Sequence, residues 1–400
     1  MWRDGPGAPS EEVLLFVHGV TDERERDHDR DRDSETDLMS RLRGTDLWHL
    51  SYRMRSDWRA SYCFYPRGPG ASQPGPAGRR PSSGDPPDGG CWDGDAAGNG
   101  FVDDGLPDPT NPIRCRGRSG AERSVVEMPA APPQPWLAYR DGLAARGTVT
   151  RYLGPGRRPV WLYDPPRSPR RARDAGIGPA DRLAPSPAEH PVLGRPAAPP
   201  SRRLPVVVVF DGEAWAGPRD LAATLDNLIA EGLLRPCLVV MPEAGDPESR
   251  RAELGAGGSA GDWVVGELLP WVRSVAPASM NPDEVVVAGQ GLGGYAALCC
   301  ALGHPEAVGA VLSQSASLWQ RELYAAAPDL VHRLHAYVEV GTREWVRREP
   351  NRSLAAALVG AGADVHYVEY NGGHDYACWR GGIADGIRAL VGPPDPSAPE

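Results

Sequence analysis

The segment Gly289-Gln290-Gly291-Leu292-Gly293-Gly294 lies between an apolar run ending at Ala288 and a helical run starting at Tyr295. A tight turn with small residues around a central position is how a buried strand presents a nucleophile at the start of a helix. Backbone N–H groups at such a turn stabilise the oxyanion of acyl transfer. Here the central slot is Gly291, which has no side chain and forms no acyl-enzyme. A base is available further along: His374, in NGGHDYACWR, follows the strand-like run DVHYVEY, and Gly372 and Gly373 let its ring approach the turn. Glu344, three residues beyond Gly341 at the end of AYVEVG, is placed to hold His374 in its useful tautomer. A glutamate there also suits a helix N-terminus, where the dipole favours negative charge, so both roles stand open. The oxyanion donors would be the backbone N–H groups of Leu292 and of the turn DGEAW, near Gly212.

A literal G-x-S-x-G also occurs at Gly257–Gly261, centred on Ser259. No strand leads into it, because the preceding apolar run ends near Pro242. A glycine-rich loop before a helix, with Asp262 as N-cap, accounts for this stretch without chemistry.

The elements around these residues form a consistent frame. From 204 the chain alternates near-continuous apolar strands (LPVVVVF, CLVVMP, EVVVAG, GAVLS, AYVEVG, DVHYVEY) with helical runs at 218–234, 262–275, near 351–361 and near 380–391. That alternation predicts a doubly wound α/β domain over 204–393, followed by a Pro-rich tail at 394–400. Upstream, residues 12–20, 48–50 and 60–65 read as strands, and 147–164 reads as a hairpin around GPGRR. The expectation is a small β-sandwich over 1–164, in which the charged run 21–37 is a solvated loop and 67–100 is a long loop or disordered. Residues 165–203, rich in Pro, Arg and Ala, read as a linker.

Composition narrows the function classes. The 400 residues carry a formal net charge of −10 with a pI near 5.5, which argues against a general nucleic-acid binder. All basic residues are arginine. The seven cysteines are odd in number and form no CxxC pair, so neither a disulfide framework nor a zinc knuckle is expected. No apolar stretch is long enough to span a membrane, and the N-terminus has no secretory h-region, so a cytoplasmic location is expected.

Several blocks together resemble the enterochelin (enterobactin) esterase family. In the second half these are DGEAWA (211–216), Arg250 with Glu253-Leu254, ELLPWV (267–272), VVVAGQ with Gly293-Gly294, LSQSAS (312–317) and GGHDYACWRGG (372–382). In the first half they are GTDLWHL, DWRASYCFYP, DPTNP (108–112) and VVEMPAAPPQPW (125–136). The resemblance implies an immunoglobulin-like N-terminal β-sandwich and a C-terminal α/β-hydrolase domain. It implies hydrolysis of the trilactone of a ferric catecholate siderophore in the cytoplasm, with no cofactor, and with iron present only inside the substrate. It would set Trp215, Arg250, Trp379 and Arg380 around that substrate, arginines for the anionic complex and tryptophans for its flat rings. The family's elbow is GQSFGG. Here it is GQGLGG, and Gly257 stands where the family has an Asn. Three functions follow as expectations: a siderophore-binding protein with hydrolysis lost or impaired, a hydrolase in which His374 activates water, or a scaffold acting through the β-sandwich.

Overall fold

The computed structural model describes residues 1–5, 9–21, 37–68, 105–118, 120–143, 145–166, 203–217, 220–318 and 331–393. Most of the charged loop, most of 67–100, nearly all of the 165–203 linker and the 394–400 tail lie outside the described residues.

The N-terminal part is built on two small antiparallel sheets. One runs β1 (Trp2–Arg3), β4 (Leu47–His49), β3 (Ser40–Arg41). The other runs β2 (Glu12–Val17), β5 (Arg59–Arg67), β7 (Glu122–Glu127), β6 (Arg114–Arg116). Trp48 of the first sheet shares a core with Val13, Leu15, Ala60 and Phe64 of the second, so the two pack face to face as a sandwich.

The C-terminal part is one eight-stranded sheet. β10 (Val206–Val209), β11 (Leu238–Pro242), β12 (Val285–Gln290), β13 (Ala310–Gln314), β14 (His335–Gly341) and β15 (Asp364–Tyr370) are parallel, in the order β15-β14-β13-β12-β10-β11. The expected hairpin, β8 (Thr148–Leu153) and β9 (Pro159–Asp164), corrects the domain boundary at 164. It continues this sheet rather than the sandwich, with β9 antiparallel to β11 through Val160↔Pro242 and Tyr163↔Val239. The reason is local: Val160, Leu162 and Tyr163 are buried against β11 and its neighbours.

The four valines of β10 show why these runs are uninterrupted. Val206 and Val208 join the core on one face, Val207 and Val209 the core on the other, and all are fully buried. The short helix α1 (Gly212–Trp215) leaves β10. α2 (Leu221–Ala230) follows, capped by the Asp220 carboxylate, and α3 (Pro247–Leu254) is capped by Asp246. α4 (Ala260–Trp263) continues through a π-turn at Val264–Leu268 into α5 (Leu269–Val275). Ser259, not the expected Asp262, takes the N-cap position of α4. Asp262 lies in its first turn and faces His304 instead, 3.0 Å away. α6 (Leu292–Gly303) leaves β12, α7 (Trp345–Gly360) leaves β14, and α8 (Tyr376–Val391) closes the domain. The helices fall on both faces of the sheet, so the carboxyl ends of the parallel strands are where a site is built.

Candidate active site

β12 ends at Gln290 and α6 begins at Leu292, leaving Gly291 alone at the turn with φ 55° and ψ −116°. Residues with a side chain rarely adopt that conformation, and the turn is pinned on both sides. Gly291 N–H donates to Gln314 O at 2.9 Å, and its carbonyl accepts from Tyr295 N and Ser317 N, each at 3.1 Å. The flanking glycines are required by close approach: a Cβ at Gly289 would collide with the Gly293 carbonyl group, and one at Gly294 would lie 3.1 Å from Gln314 O. The structure therefore carries the strained strand–turn–helix unit that the sequence predicts.

The base and its carboxylate are together. His374 Nδ1 lies 2.7 Å from Glu344 Oε2. Glu344 is fully buried, and its second oxygen accepts from Ser315 Oγ (2.6 Å), Gly341 N (2.8 Å) and Tyr370 OH (3.1 Å). Burial alone would raise the Glu344 carboxyl, but His374, Arg347 and Ser315 outweigh it and hold the group below the usual carboxylate range. An ionised Glu344 only accepts, so His374 Nδ1 carries the proton between them and Nε2 is left as the basic nitrogen. That Nε2 is buried and has no hydrogen-bond partner among the described residues. Trp379 braces the ring edge-on, with centroids 4.5 Å apart and planes at 87°. The Glu344 carboxylate thus meets the imidazole as a triad acid would, on a residue that also stands at the N-cap position of α7.

The expected oxyanion donors, Gly212 and Leu292, are the first residues of α1 and α6. Their N–H groups have no acceptor within their own helices. Gly212 must be glycine, because a Cβ there would strike the Met241 carbonyl.

The four residues expected at the substrate do other work. Arg250 is 2% exposed and spends its fork on Asp211, Nε–Oδ1 2.7 Å and Nη2–Oδ2 2.8 Å. Asp211 has φ 60° and is buried; burial would raise its carboxyl, but Arg250 and Arg118 hold it low. Arg250 therefore fixes the strained turn that carries Gly212. Trp215 is 1% exposed and donates Nε1 to Gln290 Oε1 at 2.9 Å. Trp379 is 0% exposed and donates Nε1 to Ser315 Oγ at 3.0 Å. Arg380 reaches the N-terminal part, binding Gln134 Oε1 at 2.9 Å and Arg114 O at 2.7 Å. Arg250, Trp215 and Trp379 are thus buried supports, and Arg380 joins the C-terminal part to the N-terminal one.

Sequence reasoning missed the polar ladder under the turn. Gln290, Gln314 and Glu339 are in register on adjacent strands. Gln290 Nε2 donates to Gln314 Oε1 at 2.7 Å, and Gln314 Nε2 donates to Glu339 Oε1 at 2.6 Å. Burial pushes the Glu339 carboxyl up to about 8, despite the bond from Gln314. Ser315 was missed too, a buried serine with φ 52° next to this ladder. The available signal was the interruption of apolar strands by Q, S and E at their carboxyl ends, where an unpaired polar group would be costly. Among the described residues, no group of three His, Cys, Asp or Glu side chains could hold a metal ion. No helix among the described residues is long and apolar enough to cross a membrane.

Comparison with known proteins agrees with this geometry. Residues 1–137 match the family described as enterochelin esterase, N-terminal, and residues 191–390 match the putative esterase family. The iron(III) enterobactin esterase of Dickeya dadantii (strain 3937) is 32% identical, over 100% of this chain and 88% of its own length. That of Escherichia coli O6:H1 is 30% identical, over 98% of this chain and 90% of its own. The crystal structure of the ferric enterobactin esterase from Salmonella typhimurium superposes with a TM-score of 0.70 at 27% identity, covering 97% of this chain and 92% of that one. An enterobactin esterase from Shigella flexneri, crystallised in the presence of enterobactin, gives 0.68 at 26% identity, covering 97% and 91%. Two domain matches in the right order, with relatives alike over nearly the whole length, make this chain a member of the enterochelin (iron(III) enterobactin) esterase family.

Proposed function

We propose that this protein binds a ferric catecholate siderophore ester and that its serine-esterase route is closed, because Gly291 occupies the nucleophile slot. The observation that carries the reading is the turn itself. Its φ and ψ, its close-packed flanking glycines and the Glu344–His374 pair support a nucleophile elbow that lacks its hydroxyl. The reading carries a cytoplasmic location with it.

A second reading, residual hydrolysis by activated water, is favoured by one observation: His374 Nε2 is unpartnered while Nδ1 is held by Glu344. In that route Nε2 takes a proton from water and the oxygen attacks the ester carbonyl. The Gly212 and Leu292 N–H groups stabilise the oxyanion. The tetrahedral adduct then expels the alkoxide oxygen of the ester, which recovers the proton from His374. Without a nucleophile the rate falls by a factor of about 10⁶ relative to an intact serine enzyme.

The test is to titrate the purified protein with the ferric and iron-free forms of a catecholate trilactone, then to analyse the incubated ligand by mass spectrometry. Saturable binding with the ring intact supports the first reading. Ring opening that disappears in His374→Ala supports the second. No binding defeats both and leaves the scaffold role.

A further inference from the structure

We infer that the N-terminal sandwich serves the active site by positioning the loop that carries His374, through Gly19, Asp57, Arg59 and Ser61. This rests on His374 being the working base, though not on which ligand is bound.

The loop needs such support. Gly372 and Gly373 directly precede His374, and two consecutive glycines have more backbone freedom to lose than any other pair. Their own domain fixes them only in part, through Tyr370 OH, whose one proton is shared between Gly373 O and Glu344 Oε1, each at 3.1 Å, and through Arg343 N, which donates to Gly372 O at 3.1 Å.

The sandwich fixes the remainder from both ends. Before the glycines, Arg59 N donates to Asn371 O at 3.2 Å, and Asn371 Nδ2 donates to Asp57 Oδ1 at 2.7 Å. After them, Asp375 accepts from Ser61 N at 2.5 Å and from Ser61 Oγ at 3.0 Å. The same Asp375 carboxylate caps α8 by accepting from Ala377 N at 2.9 Å. Asp375 and Ser61 are 3% and 1% exposed, so water does not compete for these bonds. Between the two anchors the backbones touch. A Cβ built on Gly19 would lie 2.9 Å from Gly373 Cα, and one on Gly373 would lie 2.6 Å from Gly19 Cα. Gly19 has φ +71°, so glycine is favoured there on conformational grounds as well.

Asn371 and Asp375 bracket His374 closely, with one residue to one side and three to the other. Holding both leaves the imidazole few ways to leave Glu344. The sandwich thus supplies order to the base, which in an isolated α/β domain would depend on two glycines.

The experiment reads the imidazole itself in the full chain, with ¹⁵N-labelled histidine. The His374 Nδ1 proton, shared with Glu344, is followed by its exchange with water. Gly19→Ala and Ser61→Ala are expected to speed that exchange by about tenfold or more, because each loosens the loop locally. Ser61→Thr, which keeps the hydroxyl, is expected to stay near the parent. Val13→Ala, a cavity in the sandwich core on β2 of the same sheet, is the control for mere destabilisation. Unchanged exchange in Ser61→Ala, or equal acceleration in Val13→Ala at matched loss of Tm, overturns the inference. If Gly19→Ala does not fold, the Ser61→Ala and Ser61→Thr pair decides. Failure to bind a ferric catecholate would defeat the proposed function and leave this readout as it stands.

Discussion

Glu344 divides its two oxygens between two tasks: Oε2 meets His374 Nδ1 at 2.7 Å, and Oε1 gathers Ser315 Oγ, Gly341 N and Tyr370 OH. Ser315 Oγ and Gly341 N, with a share of the Tyr370 hydroxyl proton, fix the plane of the carboxylate, so the other oxygen points at the imidazole without reorganising. This is the arrangement that holds a histidine in one tautomer.

That division gives a first prediction. In a Gly291→Ser background, where turnover is readable, Glu344→Gln places an amide against Nδ1 and disturbs the tautomer that leaves Nε2 basic. Ester hydrolysis should fall by about 10³–10⁴-fold with the fold retained. Steady-state kinetics on an activated ester checks it. A loss under about tenfold would reduce Glu344 to a helix-terminal residue.

Arg250 should matter to stability more than to ligand affinity. Its bidentate pair with Asp211 is buried on both sides, so Arg250→Met strands a carboxylate in the interior, at a cost of about 3–5 kcal/mol. Arg118, 3.5 Å from Asp211, offsets part of that loss. Because Asp211 is depressed in the folded state, its stabilising contribution is present above its ordinary value of 3.8 and is lost as pH falls below it. Urea unfolding at neutral pH should show the full loss in Arg250→Met, and a smaller one in the double variant with Asp211→Asn.

How much of this was legible follows from what a pattern can encode. The elbow, His374 and Glu344 were readable because each sits at a strand end, and strand ends are marked by the change from apolar runs to glycine. The parallel sheet was readable from runs such as Val206–Val209. The placement of β8 and β9 was not, because a hairpin pattern states its own pairing and not which edge it joins. The resemblance set Arg250, Trp215 and Trp379 around a ligand. Burial and partner assignment reversed that, and both depend on tertiary neighbours such as Asp211, Gln290 and Ser315. The contact of Gly19 with Gly373 joins positions more than 350 residues apart in the chain, and a single sequence carries no sign of it.

Glu339 makes a prediction of opposite sign to Asp211. Its folded value is raised to about 8 from 4.5, by burial first and also by the neighbouring Asp385 and Glu344. The folded state therefore binds the proton more tightly. This contribution to stability is fully present below pH 4.5 and is lost as pH rises toward about 8. Glu339→Gln keeps an acceptor for Gln314 and cannot ionise. Calorimetry from pH 5 to 9 should show the difference in Tm moving steadily in favour of the variant. Parallel curves for parent and variant would contradict the raised value.

The most direct test of the site is Gly291→Ser. The parent should not react with fluorophosphonate probes, because no activated serine stands at the turn, and labelling at Ser259 in particular would contradict the site described here. In the variant the new side chain enters a backbone at φ 55° and ψ −116°, at a strain of about 1–3 kcal/mol. The turn is anchored by Gln314 O, Tyr295 N and Ser317 N, so the strain should appear as a lower Tm rather than as a moved loop. The hydroxyl then joins a site whose base has its Nε2 unpartnered and whose acid is already bonded to Nδ1. Stoichiometric fluorophosphonate labelling and hydrolysis of activated esters should both appear, and both should vanish in Gly291→Ser with His374→Ala. Leu292 replaces the phenylalanine that the family's elbow pattern carries, so turnover of a catecholate trilactone should recover less fully than turnover of a small activated ester. A folded Gly291→Ser protein that takes up no probe would show that the imidazole does not reach the elbow. The assignment of His374 as its base would then fail, and with it the water-activated route.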